Sequence, residues 1–139
     1  MTLRILLDGA IAGVLSTGTG YWITGRLFHA YQARTPQTWR SGESWSSYLI
    51  STVLRLLVCI LIAWLYGCFD FGAAPFGRGT MAGGAMFGLG LGAITVAPAI
   101  LEAALFVNWH RAFVVGLLLD WLIVFMLAGV AGAVALHAF

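Results

Sequence analysis

Residues 101–125 read "LEAALFVNWHRAFVVGLLLDWLIVF". Two apolar runs meet at a four-residue polar knot, Asn108-Trp109-His110-Arg111. A connection that short joins antiparallel neighbours. Each run is helical, since lipid offers no partner to a bare backbone. The stretch is therefore a membrane hairpin, and two acids interrupt it. Glu102 precedes the knot by six residues and Asp120 follows it by nine.

The composition agrees with lipid as the solvent. The chain has 139 residues, 61% hydrophobic and 9% charged. A soluble domain carries about 25% charged residues, so this chain has too little charge to cover a water-facing surface. All seven basic residues are Arg, and they are spread along the chain. A nucleic-acid face needs a clustered stripe, so nucleic acid is excluded as a partner.

Working outward, four stretches approach the roughly 20 residues that cross a bilayer core. They run over 3–28, 47–69, 80–107 and 112–136. The fold class is all-α: one polytopic integral membrane bundle of four transmembrane helices, a single domain over 1–139. The first stretch opens with Arg4, but Asp8 interrupts it early and no A-x-A site follows. It reads as a retained span rather than a cleaved signal. Arg4 and Asp8, one turn apart, are expected to pair locally.

The connections differ in kind. The first, "QARTPQTWRSGESWS", is broken by Pro36 and Gly42, and Ser44 or Ser46 is placed to cap the next helix. The second, "DFGAAPFGRG", is a Gly/Pro turn. The six Trp fit an interfacial belt. Arg26, Arg34, Arg40 and Arg111 mark the side of the first and third loops, against Arg4 and Arg78 on the other. The positive-inside rule places those two loops in the cytoplasm and both termini outside.

Depth can be compared across spans. At 1.5 Å per residue, Glu102 and Asp120 lie ~9 and ~13 Å from the knot boundary. Arg55 lies ~12 Å from the same boundary in the second span. The first span brings Thr17, Thr19 and Tyr21 to that level. An intramembrane charge costs ~2.5–3.5 kcal/mol on insertion scales, so such groups turn inward and pair. The planar guanidinium fork can hold carboxylate oxygens two at a time. The expected polar cluster is Arg55, Glu102 and Asp120, with Tyr21 and Thr17. Unless Arg111 or Arg26 reaches down, one guanidinium faces two acids, which leaves a carboxyl able to exchange a proton.

Small residues mark where helices approach. Gly84, Gly88 and Gly92 recur every fourth residue in "GTMAGGAMFGLGLGAITVAP", a doubled G-x-x-x-G or glycine-zipper face. Gly9 and Gly13 repeat the spacing in the first span, Ala128 and Gly132 in the fourth. These faces pack within the chain or against another one. Pro98 removes a helical hydrogen bond and is expected to kink the third span.

Chemistry is sparse. Cys59 and Cys68 are nine residues apart, on opposite faces of one helix, and read as packing residues rather than a redox pair. The glycine run lacks the G-K-[ST] ending of a phosphate loop. No catalytic ordering and no metal set emerge, and no cofactor is expected. His29 and His110 share a boundary, which keeps a haem- or quinone-binding redox subunit as one alternative.

"GLGLGAITVAPAILEAALFVNWHRAFVVGLLLDWLIVFMLAGVAGAV", with its acid inside "LLLDWLIVFMLAG", resembles the closing half of a bacterial family of four-helix membrane proteins. It is the family numbered 1761 in the domain-of-unknown-function series. "GYWITGRLFHAY" is similar to that family's aromatic-rich first-helix exit. The resemblance implies a multi-pass protein of the bacterial inner membrane and no particular activity. The function expected is that of a non-enzymatic membrane protein that self-associates or joins another membrane protein. The main alternative is a proton-coupled transporter or channel for a small solute, using Glu102 and Asp120.

Overall fold

The computed structural model describes residues 2–32, 34, 45–68 and 79–137. Within them the chain is helical, and no strand occurs among the described residues. Helix α1 spans Thr2–Trp22 and passes into a π-helical turn, Ile23–Leu27. A short α2, His29–Gln32, follows. Then come α3, Trp45–Cys68, α4, Met81–Phe106, and α5, Arg111–His137. Ser44, Pro36, Gly42, Trp39, Arg40 and Arg78 lie outside the described residues, as does the second loop up to residue 78.

Three helices, α3, α4 and α5, are long and apolar enough to cross a membrane, with mean hydropathies of 2.3, 1.9 and 2.5. The first stretch falls short of that standard. Arg4, Asp8 and the Ser/Thr/Gly-rich turn from Ser16 to Gly20 dilute it. It also departs from one continuous α-helix. Phe28 N donates to Ile23 O at 3.0 Å, a five-residue step that widens the turn. Thr17 and Thr24 donate their hydroxyls to the carbonyls of Gly13 and Gly20, four residues back. Such back-bonding bends helices.

The ends of the later helices have local causes. Gly79 adopts φ 76°, a left-handed conformation suited to glycine. Its N–H reaches the Tyr66 hydroxyl at 3.2 Å, which ties the loop end to α3. Thr80 then caps α4 by accepting from Gly83 N at 3.0 Å. Pro98 lies at an exposed position in α4, and the helix continues through it to Phe106. Without an N–H, Pro98 leaves the carbonyl four residues back without its helical partner.

The helices do not pack evenly. α1, α3 and α5 touch one another in all three pairings, whereas α4 packs chiefly on α5. The core is made largely of small side chains: Ala12, Cys59, Ala63, Ala128, Ala131 and Ala135, with Ile5, Ile62, Val124 and Phe125. Glycine sets the close approaches. Cβ atoms at Gly9 and Gly13 would stand 2.8 Å from the Cα atoms of Ile60 and Leu56. At Gly132 a Cβ would stand 2.9 Å from the Ala63 carbonyl oxygen. At Gly84 and Gly88 it would overlap the backbone carbonyls of Gly129 and Phe125, and at Gly92 it would press on Leu122 and Phe125. The glycine faces are thus filled from within the chain. Backbones that close gain dispersion contacts, which drive helix association where water cannot.

Candidate functional site

The three-helix core encloses one ion pair. Arg55 of α3 donates from Nη1 to Asp120 Oδ1 at 3.1 Å and from Nη2 to Asp120 Oδ2. This is the two-point fork that guanidinium and carboxylate geometry favours. Asp120 is fully buried, and only 11% of the Arg55 side chain is exposed. Arg55 Nη1 also donates to the Ser16 carbonyl at 3.0 Å. One side chain therefore binds α1, α3 and α5 together.

The surroundings are shaped for that guanidinium. A Cβ at Gly20 would stand 2.7 Å from Arg55 Nη1, so glycine makes the room. The guanidinium carbon lies 5.3 Å from the centre of the Trp121 ring, a cation–π distance. In the π-helical turn, the Thr24 hydroxyl stands 3.2 Å from Asp120 Oδ2 and 2.8 Å from Gly20 O. A hydroxyl has one proton, so it serves one of these oxygens at a time. One turn deeper, buried Cys59 lies 3.8 Å from the Ser16 hydroxyl and 4.0 Å from the Val124 carbonyl. Cys68 is exposed. Toward the loops, the Phe28 ring covers Gly116, four residues before Asp120.

The expected cluster is only partly assembled. Arg55 and Asp120 meet. Glu102 does not join them; it is exposed on α4. Depth was the basis for grouping it with Asp120, but azimuth decides. The buried stripe of α4 keeps a four-residue step, Gly84, Gly88, Gly92, then half-buried Val96 and buried Ile100. At ~100° per residue, Glu102 lies about 200° round the helix from Ile100. Tyr21 is also exposed, and Thr17 turns to its own helix at Gly13 O.

The first stretch contributes instead Ser16 and Gly20 of α1 and Thr24 of the π-helical turn. A signal for them was present: continuing the Gly9-Gly13 rhythm by three and then four residues lands on each. Arg26 and Arg111 are exposed, and Arg26 lies over the Trp22 ring at 5.8 Å. Neither reaches down to the pair. Arg4 Nε stands 3.6 Å from Asp8 Oδ2, a charge contact in which that oxygen gains no hydrogen bond.

His29 is exposed. His110 stacks on Tyr31, centroids 4.9 Å apart, and its Nδ1 accepts from Ala112 N at 3.2 Å. That bond satisfies the opening turn of α5. Among the described residues, no three His, Cys, Asp or Glu side chains converge as a metal site would need. No family model matches the chain, and neither a curated protein nor a solved structure does.

Chemically, the pair is neutral as a unit. Both carboxylate oxygens are engaged, and the enclosing helices leave Asp120 no exposed surface.

Proposed function

We propose that this chain is a four-span, non-enzymatic integral membrane protein. It acts as a packing subunit, in a homo-oligomer or within a larger membrane complex. The observation that carries this reading is the Arg55–Asp120 pair, with Asp120 fully buried and both its oxygens engaged, which joins three helices. In this reading α1 is the fourth span. Its 21 residues reach about 31 Å at 1.5 Å each, close to the hydrocarbon thickness. Arg4 and Asp8 offset each other near its start.

The first and third loops face the cytoplasm, as Arg26, Arg34, Arg40 and Arg111 indicate, and both termini face outward. The setting is the bacterial inner membrane, in line with the four-helix family that the closing hairpin resembles. The test is the mass of the protein extracted from its membrane in mild detergent. A defined multimer or a constant partner is expected. A lone monomer with no partner overturns the reading.

A second reading has one observation in its favour. The Thr24 hydroxyl, shared between Asp120 and a backbone carbonyl, lies in a π-helical turn, and such turns are frequent at functional sites. A proton-coupled transporter would open the pair and route a proton through Asp120. Solute-driven proton flux in proteoliposomes that Asp120→Asn abolishes, with the fold retained, would favour it over the packing role.

A further inference from the structure

The least enclosed of the three apolar helices carries a charge. Only 11% of the α4 apolar window is buried against the rest of the chain, compared with 44% for α5. Its outer side presents Gly90, Ile94, Leu101 and Leu105, and a Cβ at Gly90 would meet nothing within 4 Å. Glu102 lies beside this stripe, exposed, four residues before the helix ends at Phe106. That places it about 6 Å inside the end of the helix. Among the described residues no cation pairs with that carboxyl group.

The chain also holds a cation at the same boundary. Arg111 opens α5 and is exposed. Among the described residues, no ion pair involves either Glu102 or Arg111. Arginine side chains reach several ångströms along a helix while their heads follow polar surroundings, so the two groups lie within about one helical turn in depth. A two-fold axis along the membrane normal keeps both copies in the same orientation. It brings two such pairs together at once, because an isologous contact is self-complementary.

We infer that the outer face of α4 is the docking surface for a second copy of this chain, with Glu102 of each copy meeting the partner's Arg111. The surface rests on the packing-subunit reading and specifies how the subunit self-associates. The glycine faces play no part in it, being filled by α5 and α3 of the same chain. Pairing supplies Glu102 with its cation and covers the apolar stripe with another helix rather than lipid.

The test uses the full-length protein in lipid nanodiscs. Cysteines are introduced singly at Gly90, Ile94 and Leu101, with a control at Leu15 on the exposed side of α1, all in a Cys68→Ser background. Oxidation is expected to trap dimers from the α4 positions and not from Leu15. Glu102→Arg alone and Arg111→Glu alone are each expected to lower the trapped fraction by about tenfold, and the double reversal to restore it. Glu102→Gln gives the same direction without adding a charge, should a reversal impair folding.

Trapping at Leu15 in place of the α4 positions overturns the surface. So do reversals that leave trapping unchanged, or a double reversal that fails to restore it. If the protein has dimer mass in the nanodisc but never traps through α4, only this surface fails. If it is a monomer there and brings no partner from its membrane, the packing reading fails with it.

Discussion

Replacing Asp120 with Leu strands the Arg55 guanidinium among three helices. Its two bonds to the carboxylate vanish, and only the bond to the Ser16 carbonyl remains. With 11% of its side chain exposed, Arg55 has little water to turn to. Removing one partner of a buried pair costs about 3–5 kcal/mol, because the other charge stays buried. Arg55→Leu is expected to cost a similar amount by stranding the carboxylate. The double replacement, Arg55→Leu with Asp120→Leu, removes both charges and refills the space with apolar volume. Replacements of that kind are commonly close to neutral, so the double variant should lose less than about 2 kcal/mol. Additive behaviour would instead give about 6–10 kcal/mol. Reversible unfolding by SDS in bicelles, followed by circular dichroism, measures all three variants. Each single replacement should shift the folded-to-unfolded ratio more than a hundredfold, since each 1.4 kcal/mol is about tenfold. A double variant as unstable as the sum of the singles would refute the pairing argument.

Other consequences are open to the same assay. Gly88→Ala places a methyl on the Phe125 carbonyl and should cost about 1–3 kcal/mol as α4 and α5 separate, whereas Gly90→Ala meets open space and should be neutral or mildly stabilising. Gly20→Ala pushes the guanidinium off Asp120 and should cost about 1–3 kcal/mol, with Gly18→Ala as a control that has no neighbour within 4 Å. In intact membranes a small maleimide should label exposed Cys68 and leave Cys59 unmodified until the bundle unfolds, read by mass spectrometry; equal labelling of both would contradict the enclosed core. Glu102→Gln should leave the unfolding of the isolated chain within about 0.5 kcal/mol, because Glu102 is exposed and outside the pair.

Much of the architecture is legible from hydropathy and spacing. The α4 and α5 bounds fall within one residue of the expected 80–107 and 112–136, because a polar knot and long apolar runs leave little freedom. Arg55 and Asp120 could be matched by depth, since rise per residue is fixed once the boundary is known. Glu102 defeated that method because depth says nothing of azimuth. The four-residue step of Gly84, Gly88 and Gly92 gains on the 3.6-residue turn, so the buried stripe winds away from position 102. The uneven packing of the helices was also not foreseeable. Glycine spacing reveals that a face packs closely but not against which helix, and here α4 takes chiefly α5 as its neighbour. Ser16, Gly20 and Thr24 were overshadowed by Thr17, Thr19 and Tyr21, which are more polar or larger but lie on other faces of α1. Thr24, in the π-helical turn Ile23–Leu27, meets Asp120 from far along the chain, a contact that spacing alone does not reveal.

The most direct measurement is made in lipid. Solid-state NMR on the protein in bilayers, with nitrogen-15 in arginine and carbon-13 in aspartate carboxyls, reads the dipolar coupling between guanidinium and carboxylate. A strong coupling at contact range is predicted, as Arg55 Nη1 and Asp120 Oδ1 stand 3.1 Å apart, and Asp120→Asn should remove it. Absence of that coupling in the unmodified protein, or its survival unchanged in Asp120→Asn, would contradict an Arg55–Asp120 lock at the centre of the bundle.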